Sequence, residues 1–206
     1  GTEAVIRQIV AEGVGVPIER VRVITGDTLT TPYGGGTWAC RGAGIGGEAA
    51  LQTGLAVKDS ALKVAGAMLQ AQPGTLDLVG GEIVERASGQ SRMPLAELAR
   101  IVYFRGDTLP PDLPRELMQT RHFITKQYPF AFTNGVMACS LEVDADTGLV
   151  KLLKVWCVED CGRVINPLLV DEQVRGGVVQ GIGGALYEHC VYSPEGQLLI
   201  GSMADY

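Results

Sequence analysis

The sequence predicts an α+β fold, mixed helices with mostly antiparallel strands. Three observations carry this. Helical and alternating stretches follow one another without a regular strand–helix–strand repeat. Two pairs of apolar stretches flank short turn sequences, Gly80-Gly81 and Asp146-Thr147-Gly148, which read as hairpins. Long segments rich in alanine, leucine and glycine carry helical spacing at 48–70 and 166–189.

In chain order, Val5, Ile6, Ile9 and Val10 set a helix over Thr2–Val14, ended by Gly13, Gly15 and Pro17. Arg20–Thr25, RVRVIT, alternates like a strand and stops at Gly26-Asp27-Thr28. Glu48–Gln70 has few polar residues and is expected to be a largely buried helix, closed by Pro73-Gly74. LDLVGGEIVE is a hairpin, and Pro94–Phe104 a short helix with proline in its first turn. Strands are expected after Thr120, dominated by one long hairpin around Asp146-Thr147-Gly148. Asn166 then caps a helix with Pro167 near its start, and VYSPEGQLLIG makes a last hairpin.

The 206 residues suffice for a sizeable core, and 46% hydrophobic against 19% charged residues excludes a disordered chain. A net charge of −6 argues against a general nucleic-acid binder. No apolar run has the length of a transmembrane segment, and the first residues do not read as a signal peptide. The start without Met and the end at Ser202-Met203-Ala204-Asp205-Tyr206 suggest a fragment truncated at both ends. Five scattered cysteines favour a reducing, cytoplasmic setting over a disulfide framework. The closest two, Cys157 and Cys161, lack two further ligands nearby in sequence, so buried thiols are expected and no metal ligand is assigned.

Seven glycines stand between Gly34 and Gly47, around Trp38, Cys40 and Arg41, immediately before a helix. Gly42-Ala43-Gly44-Ile45-Gly46-Gly47 matches G-x-G-x-x-G, but no strand precedes it and Asp59 is misplaced for a ribose contact. A dinucleotide-binding parallel sheet is therefore disfavoured. Two readings stay open: backbone amides and a helix N-terminus receiving a phosphate with Arg41 adding charge, or close helix packing through small residues. A second stretch, Glu172–Gly184, places five glycines in its last nine residues beside Gln173, Arg175 and Gln180. Amides in an apolar helix need partners, which suits a long phosphate-bearing ligand lying across both segments, or glutamines satisfied by neighbouring helices.

These residues carry a resemblance. VEDCGRVINPLLVDEQVRGGVVQGIGGALYE (Val158–Glu188), GDT followed by PYGGGTWACRGAGIGGEA, GQLLIGSMADY, and GTEAVIRQIVAEGVGVP resemble, in this order-specific combination, the molybdenum-binding large subunit of the xanthine oxidase family. The resemblance covers nearly the whole chain and is least distinctive over 72–119. It implies that residues 1–206 are part of a molybdopterin-binding domain holding molybdenum as molybdopterin cytosine dinucleotide. Gly36, Thr37, Trp38, Ala39, Cys40, Arg41, Gly42 and Gly47 are implied to line the cofactor, mainly through amides, with Gln173 and Gln180 contributing from the second segment. The implied activity is hydroxylation of aldehydes, N-heterocycles, purines or a related small substrate with water as oxygen source. Its catalytic glutamate belongs to a segment beyond Tyr206, so no catalytic residue is assigned, and Glu48 is read as a first-turn acid. The implied partners are the remainder of the large subunit, an iron–sulfur (2Fe-2S) subunit or domain, and an FAD subunit or other electron acceptor. A non-catalytic cofactor-holding or assembly subunit is the alternative.

Overall fold

The computed structural model describes residues 1–126 and 132–206. The chain divides into two compact units, Gly1–Ala131 and Phe132–Tyr206.

In the first unit, α1 (Thr2–Val14) packs along α2 (Gly47–Leu69), and a three-stranded antiparallel sheet follows, in order β1 (Leu76–Val79), β2 (Glu82–Glu85), β3 (Ser91–Pro94). The short α3 (Leu95–Phe104) comes next. Strand alternation turns Leu76 and Leu78 of β1 inward, with Ile83 of β2 paired to Leu78. Leu98 and Val102, one helical turn apart on α3, meet the same cluster, as do Ala61, Val64 and Ala65 of α2. This cluster is the core. α2 is buried mainly in its C-terminal half, so the expectation of a largely buried helix holds there and not at its start.

α1 ends at Gly15, whose left-handed conformation (φ 90°) turns its amide back to Ala11 O at 2.8 Å. The Gly15 carbonyl then accepts from Gly81 N at 2.9 Å, in the turn between β1 and β2. The predicted helix over Thr2–Val14 and the Gly80-Gly81 hairpin are both present.

Two expectations are corrected in this unit. RVRVIT is not a strand: Ile18–Arg20 forms a 3-10 turn and 21–25 pair with no strand among the described residues. Alternation supplies only one face of a strand, and a ladder needs a partner. The segment is instead tied to α1, by Arg7 Nε donating to Val21 O at 2.7 Å and Thr25 Oγ1 donating to Glu3 Oε1 at 3.0 Å. Pro94 ends β3 rather than opening α3, pairing with Glu82 at a sheet edge where no amide is required. The sheet is antiparallel throughout, which removes the dinucleotide-binding parallel arrangement.

In the second unit, β4 (Asn134–Val143) pairs antiparallel with β5 (Val150–Asp160), forming the long hairpin expected. Its turn is organised by Asp144, whose Oδ1 accepts from Asp146 N at 2.9 Å and Thr147 N at 2.8 Å. The Thr147 amide foremost, with the Thr147 side chain and the Asp146 amide, holds the Asp144 carboxyl below its usual range. Strand pairing begins at Asn134; the part of the predicted strand region at 127–131 lies outside the described residues. α4 (Pro167–Leu186) starts as predicted, Asn166 Oδ1 accepting from Leu169 N at 3.2 Å. Asp160 Oδ1 accepts from Gly162 N at 3.0 Å, closing the tight connection between β5 and α4. The last hairpin shrinks to a single bridge, Tyr192 to Leu198.

None of residues 132–206 is buried. The expectation of buried thiols is therefore corrected: Cys40, Cys139, Cys161 and Cys190 are exposed and Cys157 is half-buried. A two-stranded hairpin and one helix enclose too little space to cover their own side chains.

Candidate functional site

The glycine-rich stretch of the first unit begins with a turn that fixes its entry. Asp27 Oδ1 accepts from Leu29 N at 2.9 Å, and Thr31 N donates to Asp27 O at 2.8 Å. The Leu29 amide, then the Thr30 side chain, hold the Asp27 carboxyl below its ordinary range. From Pro32 to Cys40 the backbone is neither helix nor strand, and it passes into a π-helical turn over Gly42–Gly46 that runs directly into α2.

Two pairs of left-handed residues shape this loop: Gly35 and Gly36 (φ 75° and 70°), then Ala39 and Cys40 (φ 50° and 57°). Non-glycine residues rarely adopt this conformation, and two in succession imply that the surroundings over-determine them. The amides of Gly36, Thr37, Ala39 and Cys40 meet no acceptor among the described residues. A Cβ added at Gly34, Gly36 or Gly44 would meet nothing within 4 Å, so open space borders the loop there.

The Arg41 side chain folds back onto the loop. Its Nη2 donates to Gly35 O and to Gly36 O, each at 2.7 Å, and its Nε donates to Gly36 O at 3.1 Å. The guanidinium carbon lies 4.6 Å from the Trp38 ring centroid, and Trp38 Nε1 donates to Gly35 O at 3.2 Å. Arg41 and Trp38 thus bind the loop's own carbonyls. Sequence reasoning missed this use of Arg41; its signal is an arginine five and six residues after two glycines able to turn their carbonyls toward it.

The remaining glycines divide by role. Gly42 faces Thr37: a Cβ there would lie 3.1 Å from Thr37 Cγ2. Gly47 is buried where α2 begins, and its Cβ would lie 2.8 Å from Ile9 Cδ1 of α1. Gly54 meets the backbone of Gly13, with a Cβ at 3.4 Å from Gly13 Cα. The packing reading holds at Gly47 and Gly54, which let α1 and α2 approach, while Gly34, Gly36 and Gly44 border open space. Glu48 sits in the first turn of α2 and accepts from Gln52 Nε2 at 3.0 Å, as expected for a first-turn acid.

Gln173 and Gln180 belong to the second unit and are exposed. They are seven residues apart on α4, which places them on one helical face together with Gly177 and Gly184. A Cβ at Gly177, Gly181 or Gly184 would meet nothing within 4 Å. Among the described residues no helix is long and apolar enough to cross a membrane.

Comparison with known proteins gives this geometry a context. The chain is 35% identical over 206 residues to the nicotine 6-hydroxylase large subunit of Paenarthrobacter nicotinovorans, covering 100% of this chain and 25% of that protein. It is 34% identical over 194 residues to the xanthine dehydrogenase molybdenum-binding subunit of Escherichia coli O157:H7, covering 93% of this chain and 25% of that one. Its structure superposes on quinoline 2-oxidoreductase from Pseudomonas putida 86 with a TM-score of 0.87 and 30% identity, over 100% of this chain and 26% of that chain. The chain thus spans about a quarter of the length of the relatives it matches. The sequence profile of the molybdopterin cofactor-binding domain matches residues 1–206, from the first residue to the last. With a fold shared over its whole length and a profile matched end to end, the chain belongs to the molybdopterin cofactor-binding domain family.

Proposed function

We propose that the chain is the cofactor-holding part of a molybdenum hydroxylase, an oxidoreductase that hydroxylates an aldehyde, N-heterocycle, purine or related small molecule with oxygen from water. The observation that carries this reading is the end-to-end family match, with hydroxylase and dehydrogenase subunits among the relatives. When bound, the cofactor supplies the redox chemistry and the site of oxygen transfer; the protein supplies placement.

The residues present fit such a group. A phosphate-bearing cofactor needs donors in open space, and the amides of Gly36, Thr37, Ala39 and Cys40 offer them beside glycines that leave room. These residues, with Trp38, Arg41, Gly42 and Gly47, form the proposed cofactor loop, and Gln173 and Gln180 on α4 supply further polar contacts. We assign the cofactor as the cytosine dinucleotide form. The electrons leave to an iron–sulfur partner and an FAD-bearing partner, and the assembly works in the cytoplasm.

The exposed apolar surface of the second unit supports a partner in the remainder of the large subunit. Val136 is 73% exposed, Val158 72% and Val179 66%, fractions that call for cover in a folded assembly. Metal analysis of the purified complex, with release and identification of the pterin nucleotide, tests the reading. Molybdenum and a cytosine nucleotide near one per subunit are expected, with turnover of at least one of the four substrate classes. An intact, matured complex without molybdenum would sink it.

A further inference from the structure

We infer that Arg41 is a positioning residue: it holds the cofactor loop in its anion-receptive form through the peptide groups of Gly35 and Gly36. This rests on the cofactor reading above.

The argument begins with the peptide bond. In a trans peptide the carbonyl and the following amide lie on opposite sides of the chain, and the chain has no cis peptide bond among its described residues. Arg41 draws the Gly35 and Gly36 carbonyls to its guanidinium. The amides on the far ends of those two peptides belong to Gly36 and Thr37, so both are turned away from Arg41. Neither meets an acceptor among the described residues.

Two electrostatic consequences follow. Uncovered carbonyl oxygens would repel an anion approaching the loop, and the guanidinium neutralises two of them. A cation on a carbonyl also polarises its peptide, making the opposite N–H a stronger donor. The charge of Arg41 therefore reaches the anion through two peptide groups rather than across open water.

The seat is specific for arginine over glycine. A Cβ at Gly35 would lie 2.8 Å from Arg41 Nη2, so a larger residue there would push the guanidinium off its seat, and the φ of 75° itself favours glycine. Nη2 reaches both carbonyls, and the planar fork adds Nε on Gly36 O and a flat face 4.6 Å from the Trp38 ring centre. A lysine ammonium carries the same charge but lacks the fork and the flat stacking face. Nε and Nη2 are committed to the two carbonyls, which leaves only Nη1 for any direct pairing.

The test compares wild type, Arg41→Lys and Arg41→Ala in the full complex. Cofactor retention is followed as molybdenum and pterin nucleotide remaining over time. Amide hydrogen exchange is read across 33–42 and, as a control, across α2, in cofactor-free protein. Losing hydrogen bonds to a charged group leads us to expect at least about a ten-fold faster loss of cofactor in both variants. Exchange at the amide of residue 41, which donates to Trp38 O at 3.3 Å, should rise by a similar factor while α2 is unchanged. Retention at the wild-type rate in Arg41→Lys would show that charge alone suffices and would overturn the inference. So would unchanged loop exchange in Arg41→Ala, or acceleration that spreads through α2. A wild-type complex without molybdenum would instead defeat the cofactor reading, and the exchange comparison would still decide whether Arg41 locks the loop.

Discussion

A Cβ on Gly15 would lie 1.9 Å from the carbonyl oxygen of Leu78. The left-handed cap of α1 is pressed against β1, and the Gly15 carbonyl is itself held by Gly81 N at 2.9 Å. Gly15→Ala therefore combines a strained φ with a collision against backbone, which has no rotamer to give. We expect destabilisation of about 3 kcal/mol. Amide exchange in β1 and in the last turn of α1, measured in the intact subunit, should accelerate roughly a hundred-fold. Exchange within a factor of a few of wild type would show that the cap relaxes away from β1.

Gly54 and Gly47 both lie at the crossing of α1 and α2 but predict opposite tolerance. The obstacle at Gly54 is the Gly13 backbone, whereas at Gly47 it is the terminal methyl of Ile9, the far end of a flexible side chain. Gly54→Val should cost about 2 kcal/mol by forcing the helices apart. Gly47→Ala should be near neutral, because Ile9 can shift and alanine gains up to ~1 kcal/mol of helix propensity. Exchange protection of α1 measures both; equal loss in the two variants would refute the distinction.

Asp77 links α2 to the sheet. Burial acts to raise its pKa, but the Lys58 ammonium at 2.6 Å, the Leu78 amide at 2.8 Å and Arg86 at 3.6 Å together hold the carboxyl below its ordinary value. A depressed folded pKa means stability that is present above the unfolded value, near pH 4, and lost as pH falls through the folded one. The side chains are 24% and 20% exposed, so the linkage is about 1 kcal/mol. Asp77→Asn should lower stability at pH 7 and flatten its decline below about pH 4. Denaturant midpoints of the two proteins from pH 7 to pH 3 would check this; parallel curves would mean that Asp77 carries no linkage.

What the sequence made legible were signals complete within a few residues. Val5, Ile6, Ile9 and Val10 with Gly15 fixed α1, Gly80-Gly81 fixed the first hairpin, and Asn166-Pro167 fixed the start of α4. What stayed hidden depends on partners distant in sequence. Arg20–Thr25 alternates as a strand should, yet finds no ladder among the described residues. β3 was missed because Ser91, Arg92 and Pro94 carry no strand propensity; β2 supplies the pairing. Order among the loop motifs was enough to place the cofactor family, whose profile matches residues 1–206. The use of Arg41 was illegible because a guanidinium beside a glycine loop can face an anion or the loop's own carbonyls, and only coordinates separate the two.

Gly42 tests the loop without touching Arg41's hydrogen bonds. Its Cβ would meet only the Thr37 side chain, at 3.1 Å to Cγ2 and 3.6 Å to Oγ1, and the branched methyls of valine would push further into the same space. The Thr37 side chain must then yield, beside the amide at the centre of the proposed anion site. α1 and α2 pack through Gly13, Gly47 and Gly54, which the change leaves alone. Gly42→Val should therefore reduce molybdenum in the purified complex to about a tenth of wild type, a loss of ~1.4 kcal/mol in cofactor binding. Exchange in α1 and α2 should stay at wild-type rates. Gly42→Ala, for which Thr37 needs to yield only a few tenths of an ångström, should fall between. Full molybdenum occupancy in Gly42→Val would place the cofactor's anionic end away from Thr37.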